Sequence, residues 1–216
     1  PAARSFPRHA TGRTSRPAFL SCLTIAAALA LGTPASAQAQ LTTPEGRRGL
    51  RSFSVSGRVR DPGVKLAPAG ITLAELVEEY CGGMQDGHTL YAYLPGGASG
   101  GILPAALADL PLDFDTLQPY GCFIGSAAVM VLSQQDRAVD AARNLMRFFK
   151  EESCGQCTPC RSGTAKALSL IAQPRWDTGL LAELSQVMRD ASICGLGQAA
   201  PNPIDCVVKY FPHELE

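Results

Sequence analysis

Glu152-Ser153-Cys154-Gly155-Gln156-Cys157-Thr158-Pro159-Cys160-Arg161-Ser162-Gly163 is the stretch on which the reading of this chain turns. Spaced C-x-x-C-x-x-C, three thiols share one tight loop. Each can reach a different iron of a single cubane, and the fourth iron then needs a ligand from elsewhere. Ser192-Ile193-Cys194-Gly195-Leu196-Gly197 offers one, because Cys194 lies in a glycine-flanked loop that can return beside the first. Cys154, Cys157, Cys160 and Cys194 are therefore the candidate ligands of one [4Fe–4S] cluster. Gly155 and Gly195 are expected to let backbone N–H groups approach the sulfurs with no Cβ in the way. Zinc prefers paired C-x-x-C elements or Cys/His mixtures, so the third thiol of the loop makes it the second choice. A zinc-stabilised interaction module without redox role is the alternative that goes with it. Cys206 competes with Cys194 for the fourth place, but it falls within a helical pattern where its sulfur is less free to adjust.

Working outward, the period of apolar residues is helical after Ser133. Ala138, Ala142, Leu145 and Phe149 share one face of a first helix. Thr158 is placed to cap a second, with Pro159 at its first position, where a missing N–H costs nothing, and Leu168 and Ile171 on its buried stripe. Asp177 opens a third, with Leu180, Leu184 and Val187 on one side. Asn202 and Pro203 repeat the cap-then-proline pattern ahead of Ile204, Val207, Val208 and Phe211. Four amphipathic helices with short connections imply a small bundle. A cluster with four thiolates is an anion whose burial calls for compensating donors. The helix N-termini near Thr158 and Asn202 could supply them. Arg161 is the nearest cation, either a counter-charge or a solvated helix residue.

Upstream, Phe53 to Val59 alternates like a strand and ends at the turn Asp61-Pro62-Gly63. Thr72 and Glu75 form a capping-box pair that starts a short helix, with Leu73, Leu76 and Val77 facing inward and Cys81-Gly82-Gly83 ending it. Thr89–Leu94 reads as another strand and Ala127–Leu132 as a buried one. The order of strand, helix and strand gives an α+β class with a mixed sheet at 52–132, followed by the helical part at 133–216.

Of 19 basic and 19 acidic residues, 7 and 1 lie within residues 1–51, leaving 12 and 18 and a net of −6 on the remainder. So acidic a folded part excludes a nucleic-acid binder, which needs a basic face. Eight cysteines (22, 81, 122, 154, 157, 160, 194 and 206) are an even number. Even so, three fall within seven residues and the others are scattered singly through apolar stretches, unlike a disulfide framework. Cys81, Cys122 and Cys206 are read as ordinary buried thiols, and a reducing, cytoplasmic setting fits. Residues 1–50 are leader-like. Arg8, Arg13 and Arg16 precede an apolar run from Ala18 to Leu31, and Ala35-Ser36-Ala37 has the form of a cleavage site. The run is short for a bilayer, so no direct membrane span is expected. Because cluster thiolates normally meet iron in the cytoplasm, the segment is read as a disordered leader outside the fold. The first residue is proline, as in a fragment or processed product.

Weaker candidates remain. His9, His88 and His213 have no partner in the sequence that would make a catalytic set. Leu94–Gly101 and Gly125-Ser126 are glycine-rich but fit no nucleotide fingerprint, so turn duty is the better reading. Asp113 and Asp115 are taken as loop carboxylates.

Glu152–Gly163, together with Ser192–Pro201, resembles the NADH-binding flavoprotein subunit of respiratory complex I and its relatives. It looks closest to the β subunit of soluble NAD-dependent formate dehydrogenases. The similarity runs from about Phe53 to the end of the chain, roughly three quarters of it. The resemblance implies a β-grasp domain of the soluble-ligand-binding type ahead of a helical bundle that holds one [4Fe–4S] cluster on the four cysteines. It also implies an electron-transfer module of an NADH dehydrogenase or formate dehydrogenase, partnered by other iron–sulfur and flavin-containing subunits. Members of that family carry an FMN- and NADH-binding domain ahead of the β-grasp unit. Residues 1–50 contain nothing like it, so FMN and NAD are expected not to bind this chain alone.

Overall fold

The computed structural model describes residues 49–215; the leader with its signal-like features and His9 lies outside the described residues. The first strand, β1 (Leu50–Gly57), begins three residues before the expected Phe53. Phe53 and Val55 are buried while Ser52, Ser54 and Ser56 face out, the alternation that the sequence shows. The Asp61-Pro62-Gly63 turn folds the chain into β2 (Gly63–Pro68), antiparallel to β1 with Phe53 opposite Lys65. This strand has no counterpart in the sequence reading. Its Val64 and Leu66 point to solvent while Ala67 is buried, so hydropathy runs against burial along it.

Thr72 caps helix α1 (Leu73–Glu75) as expected. Its hydroxyl accepts from the Glu75 N–H at 3.2 Å, and the Glu75 carboxylate accepts from the Thr72 N–H at 2.9 Å. The helix runs on as one π-helical turn, Leu76–Tyr80, and Leu73, Leu76 and Val77 enter the core. Strands β3 (Leu90–Leu94), β4 (Leu103–Pro104) and β5 (Ala128–Ser133) complete an open five-stranded sheet in the order β2-β1-β5-β3-β4. The first and last strands lie side by side and parallel at its centre, Ser54 opposite Ala128 and Gly57 opposite Val131, while every other pair is antiparallel. The sheet is therefore mixed and the class is α+β.

The helical part comprises α2 (Ala138–Glu152), α3 (Thr158–Ile171), α4 (Thr178–Ala191), the short α5 (Gly195–Ala199) and α6 (Asn202–Tyr210). Four of these are the helices expected, and α5 is additional. On α2, Ala138, Ala142 and Phe149 are buried with Met146, while Leu145 is half-buried against a cleft of about 430 Å³ beside Met130 and Leu132. That cleft leaves Met130 exposed, so β5 is buried through Val129 and Val131 on one face only, not throughout.

The expected phase of α4 is wrong by one residue. Leu181 is 2% exposed and Met188 fully buried, whereas Leu180 is 38% and Val187 52% exposed. Gly163 of α3 sets this rotation: a Cβ there would stand 2.6 Å from Met188 Cγ, so the two helices approach at that point and turn Met188 inward. Two caps also move. Cys157, not Thr158, is the N-cap of α3, and Pro201, not Asn202, is that of α6. The Asn202 side chain instead donates to the Ser99 carbonyl at 2.9 Å, tying α6 to the turn before β4.

Sheet and helices share one core, and charged latches close the boundary. Asp136, just ahead of α2, accepts from Arg58 at 2.7 and 3.0 Å and from the Ser133 N–H at 2.9 Å. Glu214 accepts from the Ala138 and Val139 N–H groups at 3.0 and 3.1 Å, capping α2 from the far end of the described chain. No helix among the described residues is long and apolar enough to cross a membrane.

Candidate iron–sulfur centre

Between α2 and α3 the chain turns through Ser153–Cys157, with Gly155 at φ +77°, a conformation that suits glycine. Arg161 holds this loop from the first turn of α3. Its guanidinium donates to the Gly155 carbonyl and, at 3.3 Å, to the Thr158 hydroxyl. The side chain is thus a clamp on the loop rather than a free surface cation. Ser153 packs its Oγ 3.3 Å from the Cys160 sulfur and accepts from the Gly155 N–H at the same distance.

Cys157 and Cys194 occupy equivalent places. Each is an extended N-cap residue, and each carbonyl accepts the first helical hydrogen bond, from Arg161 at 3.0 Å and from Gln198 at 3.2 Å. Neither thiol makes a capping hydrogen bond. Hydrogen bonding from backbone N–H groups around Cys157, the Ile193 amide first and then the Cys160 amide, holds its thiol below the ordinary value. Ile193 immediately precedes Cys194, so the two cysteine loops lie against each other. The short helix α5 begins at Gly195, directly after Cys194 and ahead of the last long helix.

A second contact fixes the same approach. A Cβ at Gly197 would stand 2.5 Å from Ser192 Oγ and 2.8 Å from Cys160 Cβ. Close approach therefore falls to Gly197, not to Gly195, beside which nothing lies within 4 Å of an added Cβ. Cys160 is buried, Cys157 half-buried, and Cys154 and Cys194 exposed. Ser192 Oγ is buried beside the Cys157 sulfur, and its hydroxyl helps hold that thiol below the ordinary value. A buried hydroxyl beside thiols is a donor that an acceptor-rich sulfide cluster would use. Among the described residues, no three His, Cys, Asp or Glu side chains converge on one ion-sized point. The residues present fit the cluster.

Elsewhere the weaker candidates acquire structural partners. His88 Nδ1 lies 2.9 Å from Ser133 Oγ, and His213 Nε2 lies 2.9 Å from the Tyr91 hydroxyl. Asp113 is more than a loop carboxylate: it pairs with Arg51 at 3.2 Å, whose guanidinium stacks 4.5 Å over Phe114. Asp115 accepts from Gln118 at 3.2 Å. Gly97 and Ala98 of the glycine-rich stretch line a cleft of about 300 Å³ with Leu145 and Phe148. Cys81, Cys122 and Cys206 are all buried. Sequence reasoning missed that Cys122 and Cys206 touch, 84 residues apart in the chain.

Comparison with known proteins agrees with the geometry. A family model of the NADH-ubiquinone oxidoreductase-F iron-sulfur binding region matches residues 140–216, and one of the SLBB domain matches residues 52–103. The chain is 37% identical over 178 residues to the second F-type subunit of the NADH-quinone oxidoreductase of Rhizobium meliloti (strain 1021), which covers 80% of this chain and 42% of that protein. With the F-type subunit of the Escherichia coli (strain K12) NADH-quinone oxidoreductase it shares 36% identity over 175 residues, 78% of this chain and 39% of that one. With HndC, a subunit of the NADP-reducing hydrogenase of Solidesulfovibrio fructosivorans, the identity is 33%, over 78% of this chain and 36% of that one. Among solved structures, a chain of the NAD+-reducing [NiFe]-hydrogenase in the H2-reduced state superimposes with a TM-score of 0.71 at 33% identity, over 84% of this chain and 31% of that one. The chain thus spans about two fifths of the length of the curated relatives it matches. It carries an SLBB domain followed by an iron–sulfur binding region of the NADH-ubiquinone oxidoreductase-F family, and is homologous to the C-terminal region of the F-type subunits of NADH-quinone oxidoreductases.

Proposed function

We propose that Cys154, Cys157, Cys160 and Cys194 hold one [4Fe–4S] cluster and that the chain is an electron-relay module of an NAD-linked oxidoreductase. The observation that carries this reading is the packing of the 192–197 loop on the first cysteine loop, through the Ile193 amide at Cys157 and Gly197 at Cys160. When bound, the cluster takes up and gives back one electron at a time. The protein's part is to hold the thiols and offset their charge. Arg161 clamps the first loop, the Ile193 and Cys160 amides favour the thiolate of Cys157, and Ser192 offers a donor to sulfur.

The two units are assigned as a β-grasp domain at 52–132 and a cluster-binding bundle at 133–216, supported by the family matches within each. Flavin and nicotinamide chemistry is assigned to other parts of the assembly, so neither FMN nor NAD is expected to bind residues 49–215 alone. Partners would be flavin-containing and other iron–sulfur subunits, and the setting cytoplasmic. An NADH dehydrogenase or hydrogenase type of complex is supported by the relatives named above. A formate dehydrogenase type rests on the motif resemblance alone.

Anaerobic reconstitution tests the proposal. About four irons and four sulfides per chain are expected, with a paramagnetic signal on reduction. Cys194→Ser should lose or alter that signal. Zinc bound without sulfide, or a signal indifferent to Cys194→Ser, would overturn the reading.

A further inference from the structure

Cys122, in the loop ahead of β5, and Cys206, on α6, are 1% and 2% exposed, and their sulfurs stand 3.5 Å apart. The space they share is built by Gly101, where a Cβ would fall 2.5 Å from the Cys122 sulfur and 2.9 Å from that of Cys206. No side chain larger than hydrogen can stand there while both thiols remain. The Ile102 amide faces both sulfurs. One thiol belongs to the sheet unit and the other to the helical unit, 84 residues away in the chain.

We propose that Cys122 and Cys206 form a second redox site, a buried dithiol that a small peroxide converts to a disulfide joining the sheet to α6. The sulfurs need only close from contact to a bond of about 2.05 Å. Access is at Gly121, an exposed residue whose carbonyl lies 4.0 Å from the Cys206 sulfur and beside which an added Cβ would meet nothing within 4 Å. Either thiol can donate the hydrogen bond between them and leave its partner as the nucleophile, and Cys206 is taken here as the attacking sulfur. It attacks one peroxide oxygen, the O–O bond breaks, and Cys206 becomes a sulfenic acid while the other oxygen leaves as water. The Cys122 sulfur then attacks the sulfenic sulfur. The S–S bond forms, the S–O bond breaks, and a second water carries off the remaining thiol proton. Two thiols and one peroxide give one disulfide and two waters, with two electrons passing from sulfur to oxygen.

The test uses the full chain, purified anaerobically, exposed to stoichiometric hydrogen peroxide and then alkylated. Trypsin with a protease that cuts before aspartate separates Cys122 from Cys81 and Cys206 from Cys194. A linked Cys122–Cys206 peptide, lighter by two hydrogens and split by reductant, is expected. Both thiols should disappear at least about tenfold faster than Cys81, a buried thiol with no second thiol bonded to it. In Cys122→Ser, Cys206 should pass on to sulfinic acid with no linked peptide. If Cys122 and Cys206 stay alkylatable while Cys81 is oxidised, or oxidise without becoming linked, the proposal fails. Both results are read on the wild-type chain, so neither depends on a variant folding, and neither depends on the cluster ligands.

Discussion

At Gly197 one added methyl group would have to share space with Ser192 Oγ and Cys160 Cβ, and the loop bearing Cys194 would be pushed from the loop bearing Cys160. Gly197→Ala should therefore cost about 1–3 kcal/mol, as overpacking does, and lower the iron and sulfide bound on reconstitution. Gly195→Ala, two residues away in open space, should change the melt by no more than about 0.5 kcal/mol and leave iron content unaltered. A metal assay and a thermal melt on the two variants distinguish them; equal behaviour would refute the placement. Residue type and spacing are enough to nominate the four cysteines as ligands, because ligand chemistry resides in them. The division of labour among the glycines was not legible. Whether Gly195 or Gly197 lies in a contact depends on how the loop meets Cys160, and no local pattern records that.

Among the elements, α4 shows what periodicity can and cannot fix. Its start at the Asp177 cap follows from the sequence, and Asp177 accepts from the Leu180 N–H at 3.0 Å. Its rotation does not, because leucines and valine lie on both sides and only the approach of Met188 to Gly163 decides between them. Leu181→Ala should cost about 2–4 kcal/mol in chemical denaturation and Leu180→Ala within about 0.5 kcal/mol; the reverse order would restore the phase expected from sequence. For α2, no residue at its own start caps it: Arg137 makes no side-chain capping bond, and Glu214 supplies both acceptors. Glu214→Ala should lower stability by about 1–2 kcal/mol, and Glu214→Gln by less, since an oxygen acceptor remains. The capping box at Thr72 was readable because both partners lie within four residues; the Glu214 cap was not, because its partners are remote.

For the molecule as a whole, the join between sheet and helices has a pH dependence of known sign. Hydrogen bonds from Arg58, then those from Ser133, hold the Asp136 carboxyl well below the usual carboxylate range against the opposing effect of burial. An unfolded aspartate titrates near about 3.9, so above that pH both states are ionised and the latch contributes in full. As the solution is acidified below it, the unfolded chain binds the proton first and stability falls toward the lower folded value. Thermal melts of the wild type should decline through this acid range, and Asp136→Asn should start lower at neutral pH and decline less. An unchanged acid slope in the variant would assign the loss to other carboxylates. The Glu214 cap bears on how the molecule is made. The Ala138 amide waits for an acceptor 76 residues downstream. At a synthesis rate of about 5–20 residues per second, that is an interval of roughly 4–15 seconds during which the ribosome has delivered the helix but not its lid. The first turn of α2 is thus the last part of the helical layer to be locked, and a nascent chain arrested in that interval would expose the boundary on which the sheet and the cysteine loops both depend.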